Sequence, residues 1–443
     1  MRIGLAVGTL LALGVPASVL GQDTPPLQRS PDALQVTISG SARLRQVFRD
    51  ADLEQMRAAL NGTPPPPDDD TFIAAEGTLR IDVELPDRAR AVVELGNLPF
   101  DGGANLPLAG DGLETVFRQA YLEVEGILAE NLSLRAGAFD YAWRIRPHDE
   151  PFLLDLGRSE PFFSGASGTF VRATADRDLG RPGGVLLTWR AGDFVEIEAL
   201  WMTHVEGGPA GDDESVGAAL VNFPLSERTA VFAGALHVAG GESERVTTFG
   251  IGTDGYFGRD REIELFGEGY AQNGKLSRGV SRRAFGGQAG IRLHGEAGWL
   301  EVSAAYRSGD DDPADGKDKT FQSYENQNRF LLVESAEVGL DWDTNVAALR
   351  GALLWRAAHA VTLRLDAGRF RLPEKALDGA GAPLGLGRDL GTELDATIRW
   401  EPSRAVALWA TGAVLMASDA LEVLGADQER LAGAFVAGVD AKW

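Results

Sequence analysis

The chain contains no cysteine and only five lysines, Lys275, Lys317, Lys319, Lys375 and Lys442. The first absence excludes a disulfide scaffold, a thiolate metal site and cysteine nucleophile chemistry. The second leaves nearly all positive charge on arginine, whose planar fork grips carboxylate and phosphate at two points; a GC-rich genome produces the same bias. A net charge of -23 excludes a general nucleic-acid binder, whose phosphate contacts need a basic surface. The histidines, His148, His204, His237, His294 and His359, are dispersed and show no metal-ligand spacing.

Enzyme signatures are equally sparse, and the chain is read as a non-enzyme. Gly250-Ile251-Gly252-Thr253-Asp254-Gly255 has the letters of a dinucleotide fingerprint, but no helical pattern follows it. Gly165-Ala166-Ser167-Gly168 lacks the full nucleophile elbow. A soluble chain of 443 residues would divide into two or three domains, yet no linker is visible.

Long apolar runs are also missing after the N-terminus, where a membrane helix would need about 20 residues. Residues 1–21 read as a removed secretory signal, with Arg2, an apolar stretch from Ile3 to Leu13, and a small-residue site at Val19-Leu20-Gly21. Residues 22–33 are expected to be a short N-terminal periplasmic segment, and residues 34–443 a membrane β-barrel.

What the mature chain does have is a period of two. Val36, Ile38, Ala42 and Leu44 oppose Thr37, Ser39, Ser41, Arg43 and Arg45; Leu79, Ile81, Val83 and Leu85 oppose Arg80, Asp82 and Glu84. Such alternation makes a strand with one apolar and one wet face, whereas a helix would scatter the same side chains around its circumference. Short turns such as Pro86-Asp87-Arg88, Ala191-Gly192-Asp193 and Glu401-Pro402-Ser403-Arg404 alternate with long polar segments such as 50–70, 142–165 and 309–329. That asymmetry is the pattern of an outer-membrane barrel of a Gram-negative bacterium, turns in the periplasm and loops outside. The fold class is therefore all-β, a transmembrane antiparallel up-and-down barrel of about 18 strands, with 16 as the alternative. Two places are open: the sixth strand begins near Gly165 or near Pro182, and Phe330 to Val333 is a candidate extra pairing. The last strand ends on Trp443, a terminal aromatic that is expected to engage the barrel-assembly machinery.

With the apolar face in lipid, the other face lines the interior, because charge near the bilayer midplane is costly. The pore-lining candidates are Arg43, Arg45, Arg135, Arg190, Arg292, Arg350, Arg356, Arg364 and Arg399, with Glu393 and Asp395 among the acids. Arg350, Arg356, Arg364 and Arg399 become neighbours of Arg43 and Arg45 when the last strand meets the first. They either form a basic wall that guides an anion or pair with acids and brace the barrel. Segment 142–165, with Trp143, Arg144, Arg146 and Arg158, is the candidate constriction loop, or else an aromatic girdle at the interface. The runs Asp68-Asp69-Asp70, Asp212-Asp213-Glu214 and Asp310-Asp311-Asp312 fall in external loops. They are read either as solvated repulsive loops or as Ca²⁺ sites that bridge to lipopolysaccharide.

Two segments resemble the alginate-export family of outer-membrane porins. One is Phe117-Arg118-Gln119-Ala120-Tyr121-Leu122-Glu123 leading to Leu132-Ser133-Leu134-Arg135-Ala136-Gly137. The other is Leu390-Gly391-Thr392-Glu393-Leu394-Asp395-Ala396-Thr397 leading to Val414-Leu415-Met416-Ala417-Ser418-Asp419-Ala420-Leu421. The resemblance implies passive passage of an anionic polysaccharide through an electropositive lumen gated by loops, with Arg135, Glu393 and Asp395 at the pore. The mixed charge of this lumen departs from that pattern. A small-solute or ion-selective porin is the alternative reading, and an outer-membrane enzyme or structural barrel the second. The expected partners are outer-membrane lipid and lipopolysaccharide, the assembly machinery, and an anionic polysaccharide or small anionic solute.

Overall fold

The computed structural model describes residues 34–53, 55–56, 70–85, 88–97, 115–143, 152–153, 155–156, 183–205, 214–240, 244–277, 279–312, 314–323, 329–335, 338–340, 342, 344–375, 387–422 and 431–443. The expected signal and periplasmic segment lie outside these residues.

In chain order the strands are β1 (Gln35–Arg49), β2 (Asp70–Leu85), β3 (Ala89–Asn97), β4 (Thr115–Glu125), β5 (Leu132–Ala138), β6 (Tyr141–Ala142), β7 (Asp155–Leu156), β8 (Gly183–Ala191), β9 (Val195–Val205) and β10 (Glu214–Ser226). They continue as β11 (Thr229–Gly240), β12 (Glu244–Phe257), β13 (Ile263–Ser277), β14 (Val280–Gly295), β15 (Gly298–Arg307), β16 (Lys317–Asp318), β17 (Val346–Ala358), β18 (Val361–Arg371), β19 (Asp389–Ser403), β20 (Val406–Ala417) and β21 (Leu431–Lys442). The wall is a closed antiparallel barrel of 18 strands. The short β6–β7 ribbon and β16 stand apart from that count. Closure comes from β1 pairing with β21, in register from Ser41 opposite Lys442 to Arg49 opposite Ala434. No sheet edge is then left to face lipid, where an unpaired backbone amide would be expensive.

The alternation seen in the sequence sorts side chains onto the two faces. On β15, Leu300, Val302 and Tyr306 are exposed while Glu301, Ser303 and Arg307 are buried. On β19, Leu394, Ile398 and Trp400 are exposed while Glu393, Asp395 and Thr397 are buried. A soluble fold would invert this; here the exposed apolar residues form the lipid-facing band and the polar ones point inward.

Of the two expected strand counts, 18 holds. The sixth wall strand, β8, begins at Gly183, so the later of its two readings holds. Phe330 to Val333 is a turn and not a strand. The extra pairing is instead β16, which runs parallel to β14 with Ser281 opposite Lys317 and Arg282 opposite Asp318. The reason is local: carboxylates on β19 take up the backbone N–H groups of Leu331, Leu332 and Val333, and Glu334 takes that of Phe330, as described next.

Candidate functional site

The chemistry of the barrel lies in its interior, and its first cluster is the closing seam. Arg43 on β1 donates to Asp440 on β21, Nε to Oδ1 at 2.8 Å. Arg399 reaches the other oxygen at 3.4 Å, and the Trp409 indole donates to Oδ1 at 3.3 Å. Arg45, on the same face of β1, is 1% exposed. Sequence reasoning passed over Asp440, although extending the inward alternation of the last strand would have found it.

A second cluster docks residues 329–335 against the wall. Backbone amides of Leu332 and Val333 donate to the two oxygens of Glu393 at 2.6 and 2.9 Å, and Leu331 donates to Asp395 at 3.0 Å. Arg329 donates to Glu301 at 2.8 Å and lies 3.4 Å from Asp366. Arg364 forks onto the same Asp366 at 2.6 and 2.9 Å, Arg350 pairs with Glu334, and Arg292 donates to Glu301 at 2.6 Å. Glu393 and Asp395 thus face inward but spend their acceptors on this segment. Arg329 and Glu334 were not singled out from sequence, because a loop has no period to place them.

Phe152 and Phe321, from two connections distant in sequence, meet inside the barrel. Phe152 stacks on Tyr270 of β13 at 5.8 Å and tilts against Phe321 at 5.8 Å. Arg307 covers Phe152 at 4.6 Å. Trp143 is buried and donates to the Tyr141 hydroxyl at 3.1 Å, which in turn donates to Glu198 at 2.8 Å. Trp143 is therefore an inward residue. Arg144, Arg146 and Arg158 lie outside the described residues.

Toward the periplasmic end a cavity of about 380 Å³ opens between β4, β5, β8 and β9. Glu123, Glu125, Asp140 and Glu198 line it, with only Arg135 and Arg190 to balance them. Arg135 holds both oxygens of Glu123 at 3.0 and 3.1 Å, and Arg190 holds Glu196 at 2.6 Å. Arg356, near the periplasmic end of β17, is exposed. Most of the predicted arginines therefore face carboxylates: the expected basic wall is present as residues but is neutralised in place.

In the external segment after β15, Asp311 pairs with Lys319, which holds its carboxyl below the usual range. Desolvation instead pushes neighbouring Asp310 up. Asp68, Asp69, Asp212 and Asp213 lie outside the described residues. Among the described residues no group of three or more acids or histidines is arranged to hold a metal ion.

A closed wall with an apolar outside and an ion-paired polar inside defines an outer-membrane channel of the porin type. The sequence matches the alginate export family over residues 69–431, and the chain belongs to that family. Its place is the outer membrane of a Gram-negative bacterium, in contact with the lipid there. The fold is similar to OprD from Pseudomonas aeruginosa, with a TM-score of 0.56 and 11% identity over 92% of this chain and 93% of that one. It is also similar to Pseudomonas aeruginosa OpdK with vanillate, with a TM-score of 0.53 and 13% identity over 92% and 99% of the two chains. At such identities the likeness is one of fold. No curated protein matches the sequence.

Proposed function

We propose that the barrel passes an anionic solute of carbohydrate character, an acidic polysaccharide or shorter pieces of one, down its gradient. The observation that supports this is the set of inward arginines Arg43, Arg292, Arg329, Arg350, Arg364 and Arg399, each held against a protein carboxylate. A guanidinium already forked to one carboxylate, as Arg364 is to Asp366, has given up part of its water, so a uronate can replace that carboxylate by exchange of like for like. Membership of the alginate export family supports outward flow. Reversal potential under a salt gradient in a planar bilayer tests the reading: anion preference with block by polyuronate is expected. Cation preference without block would overturn it.

The periplasmic cavity favours a second reading. Its four carboxylates against two arginines suit a small-solute porin that prefers cations. The same bilayer measurement separates the two.

A further inference from the structure

Three cations stand together on the outer wall at the extracellular ends of β12, β13 and β14. The register sets Arg245 opposite Lys275. It sets Arg283 opposite Asn273, two positions along β13 from Lys275. Facing side chains on adjacent strands lie about 5 Å apart and diagonal ones about 7–8 Å, so the three converge on a space the size of one phosphate group. All three are exposed, and none has an ion-pair or hydrogen-bond partner among the described residues. In a chain with five lysines and a net charge of -23, composition does not account for such a cluster.

Position supplies the next constraint. The three point to the lipid side, on the same face as Phe249, Ile251, Phe285 and Ile291, which are exposed. A cation on that face is tolerated near the interface and not at the midplane, which puts the cluster at headgroup level. The end is the extracellular one, since it carries the long connections elsewhere around the barrel. Here, however, β11 ends at Gly240 and β12 begins at Glu244, while β13 ends at Ser277 and β14 begins at Val280. The two connections that flank the cluster are thus short; the long segment after β15 reaches only the far edge of β14, where β16 pairs with Ser281 and Arg282.

The surface below fits the rest of an amphiphile. Gly267, Gly269 and Ala271 of β13 form a shallow trough between Phe249 and Ile251 on one side and Phe285 and Ile291 on the other; a Cβ on Gly269 would meet nothing within 4 Å. Phe285 stacks on Tyr306 at 5.3 Å and stiffens that flank. At the level of Arg283, Asn273 and Thr247 add amide and hydroxyl groups, and His237 Nδ1 lies 2.9 Å from Thr247 Oγ1. Phosphate above, hydroxyl-bearing sugar beside it and acyl chain beneath is the order of groups in a phosphorylated glycolipid.

We propose that Arg245, Lys275 and Arg283 bind one phosphate of lipid A, the glycolipid anchor of lipopolysaccharide, with one acyl chain lying in the β13 trough. This rests on the outer-membrane location alone and is independent of the solute that the channel passes. Native mass spectrometry of the purified full-length barrel with diphosphorylated lipid A tests it. The triple variant Arg245→Gln, Lys275→Gln, Arg283→Gln is expected to bind on the order of a hundredfold more weakly. The charge-keeping variant Arg245→Lys, Arg283→Lys should stay within a few-fold of the parent, and lipid A stripped of both phosphates should bind the parent as weakly as the diphosphorylated form binds the triple variant. Heat-modifiable gel mobility reports whether each variant is folded; if the triple variant is not, the single changes Lys275→Gln and Arg283→Gln carry the test, each expected to weaken binding several-fold. Undiminished binding by the folded variants would overturn the proposal. So would equal affinity for dephosphorylated lipid A, or displacement by an equal concentration of phosphatidylglycerol, which would mark the cluster as a general anionic-lipid contact.

Discussion

Arg43 and Asp440 are 397 residues apart in sequence and 2.8 Å apart across the barrel seam. The contact joins the first strand to the last, and Asp440 holds Arg399 and the Trp409 indole at the same point. Both partners are largely buried, with 14% and 10% of their side-chain surfaces exposed. Asp440→Ala should therefore destabilise the folded barrel by about 1–3 kcal/mol, since it leaves charged donors without their acceptor. A lower midpoint for loss of heat-modifiable mobility in urea is the expected result, with Asp440→Glu retaining part of the stability.

Glu393 holds residues 329–335 against β19 through two backbone amides. Glu393→Ala strands those amides, at about 1–3 kcal/mol each. The expected outcome is a segment released from the wall, a higher single-channel conductance in planar bilayers, and faster amide exchange at Leu332 and Val333. Conductance and exchange indistinguishable from the parent would count against this anchor.

The seam and the wall were legible in the sequence because a strand has a period: once Val36 and Ile38 were set in lipid, Arg43, Glu393 and Asp395 had to face inward. The same logic gave the count of 18 wall strands. At β8 it left two starts open, because a long preceding connection gives no alternation to count from. It also could not reveal that Glu393 and Asp395 serve Leu331, Leu332 and Val333. Those contacts use backbone amides of a turn, and backbone donors leave no mark in the residue letters. Arg329 and Glu334 were invisible because they sit outside the strands, where no alternation assigns a side chain to a face.

Outside the membrane, the Lys319 ammonium holds Asp311 below the usual carboxylate range, and Lys319 itself is held above the usual ammonium range by Asp311. The carboxylate's contribution is present above its ordinary pKa, about 4, and is lost as pH falls through its lowered value. That of the ammonium is present below its ordinary pKa, about 10.4, and is lost as pH rises through its raised value. The loop should thus be tethered across the neutral range and loosened only in strong acid or strong base. Proteolysis between Asp310 and Thr320, followed against pH, checks this, and Lys319→Gln should remove the acid-side change.

Trp443 packs its ring over Gly40, where an added Cβ would lie 2.4 Å from Trp443 Cζ2 and 2.6 Å from the Thr78 carbonyl oxygen. Gly40→Val must therefore push the terminal ring aside. If Trp443 is the handle for the assembly machinery, this variant should reach the outer membrane more slowly in cells. Gly40→Ala, with less bulk, should show a smaller delay, measured as the fraction of heat-modifiable barrel after a pulse of synthesis.

The inward segment rests on strands that lie together: Glu301 on β15, Arg350 on β17, Asp366 on β18, and Glu393 and Asp395 on β19. The acidic cavity lies across from them, between β4, β5, β8 and β9. Opposite arcs of one cylinder thus carry opposite charge: arginines gather where the segment narrows the passage, and carboxylates gather across from it. A change that loosens the segment would alter width and anion grip together, whereas a change at Glu123 or Arg135 would shift the balance of sign and leave the width as it is.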